Sequence, residues 1–194
     1  MTTVYLARHG QSDWNAAGRW QGHADRPLTE LGRRQAAELE QALAGVPLDA
    51  VYSSDLLRAR ETAEAVAAPR GLTVTTLAEL REVDVGSWSG LTRAEAKERF
   101  PQGFRRWTDG LHGWEDGERY ERMAERVVAV VRRIAVEHEG GTVLVVAHGG
   151  PIRALHAAAL GLDVSEHRRL QAVEPNARLS RLTVGDGTLA RADA

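Results

Sequence analysis

A histidine flanked by a permanent cation and a glycine opens the chain, in Arg8-His9-Gly10, and another histidine precedes two glycines near its end, in Ala147-His148-Gly149-Gly150. Each follows an apolar run, Val4-Tyr5-Leu6-Ala7 in the first case and Val143-Leu144-Val145-Val146-Ala147 in the second. Short apolar runs that empty into glycine read as buried, parallel strands ending in tight loops. In an open α/β sheet, ligands bind at the carboxyl ends of neighbouring strands. Two histidines and an arginine converging there imply a site for an anion, with one imidazole available to react. The arginine keeps its charge at any physiological pH, and the glycine lets backbone approach a ligand closely.

The elements that must position these residues alternate between strand and helix. Leu31 to Leu43 has helical spacing, with Thr29 as N-cap and Gly45 as stop. Val51-Tyr52-Ser53 reads as a strand, followed by a helix from near Leu56 to about Ala68, capped by Ser54 or Asp55 and ended before Pro69. Leu72 to Leu77 reads as a strand, and Thr92-x-x-Glu95 as a capping box opening a helix towards Phe100 that Pro101 interrupts. Arg119 to His138 is the longest helical stretch, with Met123, Val127, Val130, Val131 and Ile134 on one face. After the strand Thr142 to Ala147, a helix is expected over Pro151 to Leu160, then a hairpin of Leu179 to Val184 and a strand near Leu189 around Gly185-Asp186-Gly187. The expected fold is a single α/β domain over residues 1–194, without repeats or linkers.

Composition narrows the function classes. Lys+Arg 25 against Asp+Glu 27 gives a net charge of −2, so no basic field points to nucleic acid or to a membrane surface. The chain has no cysteine, which removes disulfides, cysteine nucleophiles and thiolate metal sites together. His23, His112, His138, His156 and His167 show no metal-ligand spacing. With no apolar run of the roughly 20 residues that span a bilayer and no signal-like start, a soluble, cytoplasmic protein is expected.

Four blocks carry a resemblance. They are Arg8-His9-Gly10-Gln11-Ser12-Asp13-Trp14-Asn15 with Gly18-Arg19-Trp20-Gln21-Gly22; Ser53-Ser54-Asp55-Leu56-Leu57-Arg58-Ala59-Arg60-Glu61-Thr62-Ala63; Leu80-Arg81-Glu82 with Gly86, Trp88 and Gly90; and Ala147-His148-Gly149-Gly150. In this order and spacing they resemble the histidine phosphatase superfamily, in the branch that includes cofactor-dependent phosphoglycerate mutase. The resemblance implies a three-layer α/β/α sandwich around a mostly parallel sheet. It further implies that His9 attacks phosphorus and carries a phosphohistidine intermediate, with Arg8, Arg58 and His148 around the transferring group. Asn15, the backbone at Gln21 and Gly22, and the glycines Gly10 and Gly149 complete the expected phosphate-binding set. Glu82 is the implied general acid, and no metal or other cofactor is expected.

The resemblance favours hydrolysis over mutase chemistry. The chain is shorter than the family's mutases, Trp88-Ser89-Gly90 resembles its phosphatases, and Val85 stands where the mutases usually have tyrosine. The expected activity is a phosphomonoesterase on a small phosphorylated metabolite, with a mutase or a silent phosphate-binding or regulatory module as alternatives. A homodimer is allowed. The sequence departs from the family at Asp116-Gly117-Glu118-Arg119, where Gly-Gly-Glu-Ser is common; Glu118 matches, and Asp116 and Arg119 would alter the substrate rim. The segment from Phe100 to Trp114, with Arg105, Arg106, Trp107, His112 and Trp114, is either a cover that sets specificity or a surface excursion. Arginine there would suit a second anionic group on the substrate, whereas tryptophan would pack against a sugar or nucleoside.

Overall fold

The computed structural model describes residues 1–192. Strands β1 (Thr2–Arg8), β2 (Ala50–Ser54), β3 (Val74–Leu77), β4 (Thr142–Ala147), β5 (Leu179–Gly185) and β6 (Thr188–Arg191) form one sheet in the order β3-β2-β4-β1-β5-β6. The first four are mutually parallel, and β5 and β6 add an antiparallel edge. Helices cover both faces, giving the three layers that the resemblance implied.

Alternation along β4 shows how the layers form. Val143, Val145 and Ala147 face one core, and Leu144 and Val146 the other. The second core is closed by α2 (Glu30–Ala42) and α3 (Leu57–Ala67), through residues such as Leu39, Ala59 and Val66. The first is closed by α6 (Tyr120–Glu137) and α7 (Gly149–Ala159). On α6 the stripe Met123, Val127, Val130, Val131 and Ile134 is buried, each side chain contributing about 1.5–3 kcal/mol of transfer free energy. A strand buried on both faces has no polar side to show, which is why β4 reads as an unbroken apolar run.

Local signals act largely as expected. Thr29 accepts a bond from the amide of Gly32, and Thr92 and Glu95 form the reciprocal capping box of α4 (Arg93–Arg99). The hairpin turns at Asp186 and Gly187, with φ of 50° and 72°. Three details differ. The amide of Leu57 in the first turn of α3 donates 2.6 Å to Asp25 from a distant loop, while Asp55 binds Arg81. Pro101 both ends α4 and opens α5 (Pro101–Thr108), because proline's fixed φ and missing donor suit a first helical turn. The helices α1 (Asp13–Ala16) and α8 (Val164–Leu170) are additions to the expected elements. Among the described residues no helix is long and apolar enough to cross a membrane.

Candidate active site

Register brings the two histidines together. Arg8 at the end of β1 lies opposite Ala147 at the end of the parallel strand β4, so His9 and His148 leave adjacent strands at the same level. Their ring centroids are 5.0 Å apart. His9 is 2% exposed, and its Nδ1 lies 2.7 Å from the carbonyl of Gly10. A carbonyl can only accept, so Nδ1 carries the proton and the Nε2 lone pair is left free. Burial, followed by the nearby charges of Arg58 and Arg8, holds the His9 pKa well below the usual imidazole range. The ring is therefore neutral at physiological pH. His148 is fully buried behind it and held low by burial and the same cations; neither ring nitrogen has a hydrogen-bond partner among the described residues.

Arg58 sits in the first turn of α3, 1% exposed. It donates to the carbonyls of Gly22 (2.9 Å) and Ala24 (2.8 Å), while its Nε has no partner. Burial draws its pKa down to about 10, which still leaves it charged at neutral pH. Arg8 donates to the carbonyl of Glu174 at 2.5 Å and likewise has an unpartnered Nε. Neither guanidinium meets a carboxylate at ion-pair distance among the described residues, so the positive charge is left for an anion. Asn15 and Gln21 present amides to the same cavity. The Oδ1 of Asn15 accepts from the amide of Ser12 and from Asn176, and the Oε1 of Gln21 accepts the Ser12 hydroxyl proton at 2.7 Å, so each keeps its NH2 for a ligand.

Gly10 serves this site from behind. Its amide donates to Thr62 Oγ1 at 3.0 Å, and a Cβ there would lie 2.4 Å from the carbonyl of Gly32 at the start of α2. The close approach it permits is thus to α2, and its carbonyl orients the His9 ring. Gly149 likewise lies off the cavity wall, whereas Gly22 and Gly150 line it.

Glu82 faces the cage from the loop after β3. Its carboxylate accepts from the amide of Gly150, 3.2 and 3.3 Å, in the first turn of α7, and from Val83 at 2.9 Å. A Cβ on Gly150 would stand 2.2 Å from Glu82 Oε1, so a side chain there would push the carboxylate out of this position. Arg126 holds the loop by donating to the carbonyls of Glu79, Arg81 and Glu82, and Glu118 fixes Arg126 with two 2.7 Å bonds. Glu118 therefore supports the Glu82 loop through Arg126. Asp116 accepts from Ser87, and neither it nor Arg119 reaches the cavity wall.

Over residues 4–192 the chain matches the family model of the histidine phosphatase superfamily (branch 1). The chain belongs to that superfamily. It is 38% identical over 168 residues to phosphoserine phosphatase 1 of Hydrogenobacter thermophilus, spanning 86% of this chain and 80% of that one. It is 37% identical over 164 residues to the metal-independent phosphoserine phosphatase of Arabidopsis thaliana, spanning 80% and 68%. Its fold is similar to that of Bacillus stearothermophilus YhfR, with a TM-score of 0.93, 35% identity and coverage of 99% and 96%.

The cavity extends beyond Arg8, His9, Arg58 and Glu82. It encloses about 880 Å³ and includes, beyond the phosphate-binding set expected from sequence, Trp20, Val83, Val85, Tyr120, Arg153 and Arg168, together with Trp107 of the segment considered as a cover. The segment after Phe100 divides between the two roles considered for it. Trp107, Thr108 and Gly110 line the cavity, while Trp114 is 1% exposed and packs against Trp88 in the core. Arg105 does not reach the wall, and Arg106 binds Glu115 and the carbonyl of Gly113. Sequence reasoning misses Arg153, although it carries a signal: it is the lone arginine in the apolar helix α7. It also misses Asn176, which lies in an irregular segment with neither periodicity nor motif, yet donates to the carbonyl of His9. Among the described residues no group of three or more histidine, aspartate or glutamate side chains is placed to hold a metal.

Proposed function

We propose that this histidine phosphatase is a metal-independent phosphomonoesterase that acts on a small phosphorylated metabolite through phosphohistidine at His9. The observation that carries the reading is a neutral His9, with Nδ1 tied to Gly10 and Nε2 free, beside two arginines that lack carboxylate partners. The names of the phosphoserine phosphatases it resembles support a small phosphorylated substrate, and one of the two is named as metal-independent.

In the first half-reaction His9 Nε2 forms a bond to phosphorus as the ester P–O bond breaks in line, and Glu82 gives its proton to the leaving alcohol oxygen. In the second, Glu82 takes a proton from water, the hydroxide oxygen bonds to phosphorus, and the N–P bond breaks. Inorganic phosphate leaves, with His9 neutral and Glu82 protonated again. Arg8 and Arg58 offset charge on the equatorial oxygens throughout, with Asn15, Gln21 and the unpartnered His148 ring as further donors. Donors held in place before the substrate arrives need no reorganisation at the transition state, which is where their rate effect originates.

The test is an incubation of purified protein with phosphorylated metabolites in chelator, following free phosphate and product isomers. Phosphate release is expected. Interconversion of 2- and 3-phosphoglycerate without net release would make it a mutase, and tight binding without turnover a silent module.

A further inference from the structure

Seven arginines line the cavity, and Glu82 is the single acid among its lining residues. Arg8 and Arg58 serve the phosphoryl cage, Arg19 pairs with Glu95, and Arg93 and Arg169 are exposed at the rim. Arg153 on α7 and Arg168 on α8 are left, both half-buried and neither within ion-pair distance of a carboxylate among the described residues. Arg153 donates to the carbonyl of Gln171 at 3.3 Å, and its Nε is buried without a partner. Arg168 donates to the carbonyls of Gly110 and Leu111 and lies 4.2 Å over the ring of Tyr120.

Two guanidinium groups taken out of water beside one another are unfavourable unless an anion joins them. Burial lowers the pKa of each, and for Arg153 the charge of Arg168 adds to the effect. Both side chains line the same cavity as Arg8, His9, Arg58 and Glu82, so this pair shares the site with the phosphoryl cage rather than standing at a remote surface. A ligand held by His9 and Glu82 would therefore reach the pair with a short carbon skeleton. Trp20, Trp107 and Tyr120 add apolar wall to the same cavity, with Arg168 over the rings of Trp107 and Tyr120.

We infer that Arg153 and Arg168 receive a carboxylate of the substrate, so that the preferred substrates are phosphomonoesters of small hydroxycarboxylic acids. This rests on the phosphomonoesterase reading of the same cavity. Backbone carbonyls already occupy donors of both arginines. Those remaining suit the two oxygens of a carboxylate better than the three of a second phosphate. The second-anion chemistry expected at Arg105 and Arg106 is thus supplied from α7 and α8 instead.

The test compares 3-phosphoglycerate with glycerol 3-phosphate, which has a hydroxymethyl group where the former has its carboxylate. The readout is the ratio of their kcat/KM values, in which any shared effect on folding or on the phosphoryl cage cancels. Native protein should favour the carboxylate by about 10–10²-fold. Arg153→Met and Arg168→Met should each bring the ratio towards one, mainly through KM for 3-phosphoglycerate, and Arg153→Lys should restore part of it. A native ratio near one, or a ratio unchanged in both methionine variants, overturns the inference. So does stronger turnover of propane-1,3-diol bisphosphate than of 3-phosphoglycerate. Failure of the phosphomonoesterase reading looks different: no phosphate is released from any probe, p-nitrophenyl phosphate included. Calorimetric affinities for 3-phosphoglycerate and glycerol 3-phosphate then supply the same ratio, and a value near one overturns the inference as before.

Discussion

Asn176 Nδ2 donates 2.9 Å to the main-chain carbonyl of His9, a residue 167 positions earlier, and 3.3 Å to Oδ1 of Asn15. The next residue, Ala177, adopts φ 55°, and its amide donates to the carbonyls of Arg8 and His9. One short segment thus fixes the backbone of the proposed nucleophile and the orientation of an amide that faces the cavity. A non-glycine residue in that conformation is held there by its surroundings.

Asn176 is accordingly expected to be a positioning residue. Asn176→Ala should slow phosphoenzyme formation by about 10–10²-fold, the scale of a small misplacement of reacting groups. The effect should appear in kcat more than in KM. Loss of stability should stay near the 2 kcal/mol or so that two ordinary hydrogen bonds contribute. Normal single-turnover rates alongside a lowered Tm would reduce Asn176 to a structural role.

Covalent catalysis at His9 predicts a phosphoprotein that is acid-labile and base-stable when labelled substrate is quenched rapidly. His9→Ala should form none. Turnover by that variant above contaminant levels would remove His9 from the mechanism.

Why some of this was legible in sequence and some was not follows from range. The strand ends at His9 and His148, the capping box at Thr92 and the stripe on α6 are local patterns, each written within about ten residues. The roles of Arg8, Arg58, Glu82, Asn15 and Gln21 came from the family resemblance, and the structure brings these five to one cavity. Long-range partners left no local trace: Asp25 over the first turn of α3, Asn176 on His9, Arg126 behind Glu82. Arg105 and Arg153 look alike as letters. They differ in the neighbours that the fold gives them, and it is Arg153 that lines the cavity.

Activity should survive exhaustive chelation, since in the proposed mechanism Arg8 and Arg58 offset the phosphoryl charge without a metal. Vanadate should inhibit competitively, because it can adopt the trigonal-bipyramidal geometry of the transferring group. Activity lost to chelator and restored by magnesium would contradict the proposed chemistry.

The histidines set the acid side of both activity and stability. His9 must be neutral to attack, and its pKa is depressed by burial and then by Arg58 and Arg8. The rate of phosphoenzyme formation should therefore show no loss from His9 protonation near pH 6.5, and fall only at lower pH. Stability has the same sign. An unfolded histidine takes up a proton near pH 6.5, whereas His156, buried beside Ser180, does so at about 4. The unfolded state binds more protons in that window, so stability is lost as pH falls from 6.5 towards 4. His156→Gln should reduce this loss by up to about 3 kcal/mol, read from urea melts across the window. An unchanged slope would show that His156 is already charged in the folded protein at pH 5.

Glu82 can be separated from the phosphate cage by varying the leaving group. A general acid matters most when the departing alkoxide is a strong base, and least when it is weakly basic. Glu82→Gln keeps the size of the side chain and the capacity to accept from Gly150, but cannot deliver the proton. It should lose about 10²–10⁴-fold on an alkyl phosphate and far less on p-nitrophenyl phosphate. The comparison must be made on phosphoenzyme formation in a single turnover, because Glu82 is also assigned to activate water in the second step. Arg58→Ala should harm both substrates alike, since each transfers the same group past the same guanidinium. Equal losses from Glu82→Gln on the two substrates would make Glu82 a positioning residue. The proton donor would then be sought at Asp84 or Glu79 in the same loop.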